Sequence, residues 1–186
     1  MPKFNFTLQT ERLLLRPLRE TDAQAFFAIR SNPTVMRYHT SIPWTEIDLA
    51  VAKISRDMAA MQSGKYLSLG IERTEDRVFI GTCGLFSLDE QCRRAEIGYE
   101  LLHDAWGKGY MHEALVALLK YGFSTLELNR IEADIHPDNI GSAKSLERLG
   151  FQKEGYLRER WIVGDQVSDS VLYGLLLSDW RHQVLD

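Results

Sequence analysis

Cysteine is scarce: Cys83 and Cys92 are the only two in 186 residues. Their separation fits no metal-ligand pattern, so no metal is expected and both read as reduced thiols. There is no continuous apolar run of the roughly 18 residues that a membrane helix needs. The opening Met1-Pro2-Lys3-Phe4-Asn5-Phe6 has no apolar core of the kind a secretory leader carries. The expectation is a cytoplasmic protein with no membrane partner. One-signed charge is also missing. Twenty-two Lys and Arg stand against 26 Asp and Glu, net −4, with no basic run. That argues against direct nucleic-acid binding. Repeats, low-complexity tracts and linkers are absent, so residues 1–186 read as a single domain, long enough to bury roughly 70% of the unfolded surface.

Two familiar phosphate motifs are lacking as well. No Gly-x-x-x-x-Gly-Lys-[Ser/Thr] occurs, which excludes a P-loop. A dinucleotide fingerprint built on Gly107 and Gly109 would need a third glycine where His112 stands. What is present is Trp106-Gly107-Lys108-Gly109-Tyr110-Met111-His112-Glu113-Ala114-Leu115, directly after the strand-like Ala95-Glu96-Ile97-Gly98-Tyr99-Glu100-Leu101-Leu102. A strand, a glycine turn and a helix start in that order build an anion site. First-turn N–H groups have no partner within the helix, and its dipole places partial positive charge there. Glycine lets the backbone approach a phosphate without a Cβ in the way. A phosphorylated ligand at residues 106–111 is one reading. A flexible turn ahead of a helix is the other, and this segment alone does not separate them.

Along the chain, residues 12–18 read as a first strand. Thr21 with Gln24 suggests a capping box opening a helix through Arg30, which Asn32-Pro33 breaks. Thr45 is expected to cap a longer helix whose stripe is Ile47, Val51, Ile54, Met58 and Met61, stopped at Gly64. Strands follow at 66–72, 78–88 and 94–102. A helix is expected from Lys108 to about Leu126, with Met111, Ala114, Leu115, Leu118, Leu119, Gly122 and Phe123 on its buried face. Ile131, Ala133 and Ile135 alternate as a strand, and residues 139–149 form a helix ended by Gly150. Strands at 151–163 and 167–177 flank Gly164-Asp165, which suits a II′ hairpin turn. A run of antiparallel strands feeding one βαβ unit predicts an α/β fold. Its mixed, mostly antiparallel sheet would have about seven strands, with helices on both faces.

Four segments in this order resemble one family, the GCN5-related N-acetyltransferases. They are Thr10-Glu11-Arg12-Leu13-Leu14-Leu15-Arg16-Pro17; Ala95-Glu96-Ile97-Gly98-Tyr99; Trp106-Gly107-Lys108-Gly109-Tyr110 with Glu113-Ala114; and Asn139-Ile140-Gly141-Ser142 with Leu149-Gly150-Phe151. The similarity spans nearly the whole chain and is greatest to the branch that acetylates the N-termini of ribosomal proteins. It implies acetyl-CoA as the cofactor, with its pyrophosphate on the turn formed by Trp106, Gly107, Lys108, Gly109, Tyr110 and Met111. It further implies that the pantetheine arm lies along Ile97, Gly98, Tyr99, Glu100 and Leu101, where this strand splays from the one containing Ile131. Asn139 would face that arm. The sequence departs from the family pattern at three places. Trp106 stands where Gln or Arg is usual, Met111 where Gly or Ala is usual, and Leu146 where many members carry a tyrosine acid. The CoA thiolate would then take its proton from another group or from solvent.

Acetyl transfer to an amine needs a neutral amine, a polarised thioester carbonyl and a proton route to sulfur. An α-amine, with a pKa of about 8, is partly neutral near pH 7, whereas a lysine at about 10.4 is not. A carboxylate acting through water can serve an α-amine. Glu96 is the first candidate, on the strand leading to the cofactor. Strand alternation puts it on one face with Gly98 and Glu100, opposite Ala95, Ile97 and Tyr99. The competing reading pairs Glu96 with Arg93 or Arg94. Glu100 is a second carboxylate on that face. Ser142 is a candidate partner for the thiolate or a first-turn serine bonding locally. Asn139 is also read as an N-cap, His136 as a base or a structural histidine, and Tyr99 as tunnel wall or core. Tyr38, His39 and Trp44 fall where the fold would wall an acceptor site. Asp89 and Glu90 read as an acidic rim or a solvated turn.

The expected function is an acetyl-CoA-dependent N-acetyltransferase acting on a protein or peptide N-terminal α-amine. A small-molecule amine acetyltransferase and a non-catalytic acyl-CoA-binding module are the alternatives. The chain would act as a monomer or homodimer.

Overall fold

The computed structural model describes residues 4–184. The strands are β1 (Leu8–Gln9), β2 (Leu13–Pro17), β3 (Leu67–Arg73), β4 (Phe79–Asp89), β5 (Arg94–Leu101), β6 (Arg130–Ile135), β7 (Gln152–Val163) and β8 (Gln166–Leu176). The helices are α1 (Ala23–Arg30), α2 (Pro33–Met36), α3 (Asp48–Ser63), α4 (Tyr110–Ser124), α5 (Ile140–Arg148) and α6 (Leu177–Val184). The strands form one sheet in the order β1-β2-β3-β4-β5-β6-β8-β7. Every pairing is antiparallel except β5 with β6. Seven strands lie where alternation places them. The additional one, β1, is too short to carry a periodic signal.

Both faces of the sheet are covered, each by its own apolar cluster. Alternate residues of β2 to β6, among them Leu15, Leu69, Leu85 and Ile97, bury against Leu115, Leu118 and Leu119 of α4. The opposite face packs Leu18 and Phe79 against Phe26, Ile29 and Ile54 from α1 and α3. Burial of this apolar area is the main force holding the helices to the sheet. No helix among the described residues is long and apolar enough to cross a membrane.

Several boundaries differ from expectation, each for a local reason. The first helix opens with a 3₁₀ turn at Glu20–Asp22 and a reciprocal cap between Arg19 and Asp22, not Thr21 and Gln24. Asp22 is drawn inward because Arg16, 3% exposed, needs carboxylates. The guanidinium takes Asp22 at 2.8 Å and Glu72 at 2.7 Å. An unpaired charge at such depth would be costly, so the pairing dictates the turn. The third helix begins at Asp48, not Thr45, with Ile47 at its N-cap. Ile54 and Met61 of the anticipated stripe are buried, joined by Ala50 and Ala60, whereas Ile47 and Val51 are exposed. The fourth helix begins at Tyr110, because Gly109 at φ +80° lies outside the helical region. Two short elements gave no readable pattern: α2, opened by Pro33 with Asn32 as cap, and α6. The last hairpin is as expected, with Val163 opposite Gln166 and φ +59° at Gly164.

Candidate active site

The site forms where β5 and β6 part. Their parallel register holds for only three pairs, Arg94 with Arg130, Ala95 with Ile131 and Glu96 with Glu132. Beyond Glu96 the strands diverge, leaving residues 97–101 without a strand partner on that side. A cleft of about 1110 Å³ opens there, reaching from Gly107 and Gly109 past Tyr99 and Ser142 to Glu96. Gly98 leaves room for a neighbouring ring. A Cβ there would come within 2.6 Å of the Phe86 ring, which lies across the strand on the same face as Glu96.

The turn after β5 has a geometry suited to an anion. Gly107 and Gly109 adopt φ of +72° and +80°, and the space a Cβ at Gly107 would enter is open. The N–H groups of residues 107–111 have no hydrogen-bond partner among the described residues. Free donors, positive φ and a helix N-terminus together fit a pyrophosphate. The turn is pinned from two sides. The Trp106 indole N–H donates to the Leu101 carbonyl at 2.9 Å. That interaction explains why tryptophan suits position 106: it ties the turn back to β5. On the other side, the Arg12 guanidinium donates to the Lys108 carbonyl at 3.0 Å and to Glu113 at 2.7 Å. Glu113 also accepts from the Arg12 backbone N–H at 2.8 Å and from the Thr10 hydroxyl at 2.6 Å. Two segments that resembled the family separately, residues 10–17 and Glu113-Ala114, thus form one clamp on the cradle. Sequence reasoning missed it. The only available signal was an arginine and a glutamate recurring in two distant motifs. Met111 packs its side chain against the core cluster.

The far wall is the start of α5. The Asn139 side chain accepts from the Ser142 N–H at 3.1 Å, so Asn139 is an N-cap as anticipated. Asn139→Ala is expected to cost about 1 kcal/mol of stability, the usual scale of a lost cap, read as a lower midpoint in urea unfolding. The Ser142 Oγ lies 2.6 Å from the Tyr99 hydroxyl. Burial pushes the Tyr99 phenol up to about 12, with the Ser142 bond acting in the opposite direction. The phenol therefore stays protonated and works as a hydrogen-bond group. Leu146 is fully buried in the core, so no acid reaches the cleft from that position.

On the opposite side of β5 the two carboxylates separate in character. Glu96 lines the cleft, half-buried, with no hydrogen bond or ion pair among the described residues. The anticipated pairing with Arg93 or Arg94 does not form; Arg94 pairs with Glu132 at 2.9 Å. Glu100 is 6% exposed and committed to Arg30 at 2.9 Å and to the Thr82 hydroxyl at 2.9 Å. Its carboxylate is thus a poor primary base. His136 accepts from the Asp138 N–H at 3.1 Å and sits beside the Tyr38 ring, a structural role. Tyr38 and His39 line the cleft, whereas Trp44 packs on Phe26 in the second cluster. Asp89 and Glu90 do not line it, because the β4–β5 turn lies away from the gap; Asp89 accepts from the Cys92 N–H at 2.8 Å. A polar annex of about 480 Å³ between residues 37–43 and the β7–β8 hairpin carries Asp134, Asp165 and Asp169.

Comparison with known proteins agrees with this architecture. The family model described as "Acetyltransferase (GNAT) domain" matches residues 12–152. An uncharacterised N-acetyltransferase of Bacillus licheniformis, p20, is 38% identical over 94% of this chain and 98% of its own length. The [ribosomal protein uS5]-alanine N-acetyltransferase of Escherichia coli is 40% identical over 45% of this chain and 43% of its own. Among solved structures, Mycobacterium smegmatis RimJ in complex with CoA-disulfide superposes with a TM-score of 0.85. It is 25% identical over 99% of this chain and 95% of its own. The chain belongs to the GNAT family, and it is an acetyl-CoA-dependent N-acetyltransferase.

Proposed function

We propose that this enzyme acetylates the α-amine at the start of a peptide chain and does so in the cytoplasm. The unpaired Glu96 carboxylate at the mouth of the β5–β6 gap carries the reading. Glu96 takes a proton from the incoming amine, directly or through water. Ser142, backed by Tyr99, holds the departing sulfur by a hydrogen bond. The backbone along Ile97, Gly98, Tyr99, Glu100 and Leu101 lies beside the pantetheine. The turn from Trp106 to Met111 takes the pyrophosphate, with Trp106 bracing it. Asn139 caps the helix that faces the arm.

The α-amine preference follows from pKa matching. A lone carboxylate base and no tyrosine at 146 suit an amine already partly neutral near pH 7. The similarity to the uS5-alanine enzyme supports the same choice. A second reading, a polyamine or other small polycation, is favoured by Asp134, Asp165 and Asp169 around the annex. Two peptides of one sequence decide between amines. One has a blocked N-terminus and a free lysine, the other the reverse. Thiol release is expected to be faster with the free N-terminus. Faster release from the lysine peptide refutes the preference, and turnover of spermidine with neither peptide acetylated moves the enzyme to small amines.

A further inference from the structure

An alkylammonium loses two protons on becoming an amide, one before the nitrogen attacks and one as the C–N bond forms. Glu96 accounts for one of them. A second acceptor should line the same cleft, and the loop after α2 supplies a histidine to it. Tyr38 and His39 are adjacent in sequence but reach opposite sides of the gap. The Tyr38 ring lies 5.1 Å from the ring of His136, just past β6. His39 Nε2 lies 3.8 Å from Glu100 Oε2 on β5. The loop therefore bridges the two strands where they part, and His39 lines both the main cleft and its annex.

We propose that His39 is a second catalytic proton acceptor, oriented by Glu100. The inference rests on the proposed transferase function. Arg30 and Thr82 fix Glu100: their hydrogen bonds fall on Oε1, while Oε2 is buried, 2.9 Å from Arg30 Nε but without a well-aligned donor. A small rotation of His39 brings its Nε2–H to that oxygen. The Nδ1 lone pair is then free for the cleft. As the amine nitrogen bonds to the acetyl carbon, it becomes positively charged and much more acidic. Its proton passes to His39 Nδ1 while the C–S bond breaks and sulfur leaves with the electron pair. The sulfur gains a proton from solvent, and His39 returns its own to solvent. The imidazole must be neutral to act. Burial pushes its pKa below 6.5, Glu100 opposes that shift, and Arg30 adds to it. Lys53, Glu96, Asp134 and His136 are further charged or titratable groups lining the cleft and its annex.

The test begins with the parent enzyme and the amine panel. If no amine accelerates thiol release, the proposed acceptor reading fails, and this inference with it. With an active parent, His39→Gln is expected to lower kcat by about tenfold or more, somewhat below the usual scale because solvent at the open mouth substitutes in part. KM for acetyl-CoA should not change. The component of the acid limb that follows the His39 titration should vanish from the kcat profile, and added imidazole should restore rate to His39→Ala. Without acetyl-CoA, the ring signal that His39→Gln removes from the NMR spectrum should titrate below pH 6.5. Glu100→Gln should move that midpoint lower still, since it removes the charge that favours imidazolium. A folded His39→Gln enzyme that binds CoA, turns over within about threefold of the parent and has the parent's acid limb unchanged overturns the proposal.

Discussion

Glu96→Gln is expected to lower the rate of acetyl transfer by about 10²-fold or more, the usual scale for loss of a general base. The substitution preserves shape and removes only the charge. Because Glu96 has no ion-pair partner among the described residues, stability should change little. Its register neighbour Phe86 and the bare backbone of Gly98 leave the carboxylate facing the gap. CoA affinity should therefore stay near that of the parent while kcat falls. The measurement is single-turnover acetylation at saturating acceptor, so that chemistry and not product release is observed. An unchanged rate there would leave Glu96 a solvated strand residue.

Gly109→Asp should weaken CoA binding at least about tenfold, or ~1.4 kcal/mol. Two effects add. The φ of +80° disfavours a side chain, and its Cβ would lie 3.4 Å from Arg12 Nη2. The carboxylate would then sit against the pyrophosphate and compete for the arginine that holds the Lys108 carbonyl. Gly109→Ala separates the two effects, because it keeps the strain without the charge and should lose less. Calorimetric titration with CoA gives both affinities. Parental affinity in a folded Gly109→Asp protein would place the pyrophosphate elsewhere.

The main elements were legible because their signals are local. Period-two alternation at residues 66–72 and a broad apolar face from Met111 to Phe123 are read from neighbours in sequence. Asn139 as a cap and Gly64 and Gly150 as stops are also one-dimensional facts, and they stand. What failed was non-local. The start of α1 follows from Arg16 demanding Asp22 and Glu72, a residue 56 positions away. The exposed half of the α3 stripe reflects where the helix meets the sheet. A helical period cannot state that.

The same division holds for the site. The amino-acid sequence determined by itself the strand–turn–helix cradle, its glycines and the face carrying Glu96, Gly98 and Glu100, because backbone geometry and strand alternation are set over a few residues. Only the tertiary structure decided which of two carboxylates on that face is free. Arg30, 70 positions from Glu100, takes that one and leaves Glu96 to the gap. Folding likewise brought Arg12 to Glu113, Tyr99 to Ser142 and His39 to Glu100. A side chain's charge environment in a packed interior is fixed by whatever the fold lays beside it, and that neighbour need not be near in the chain.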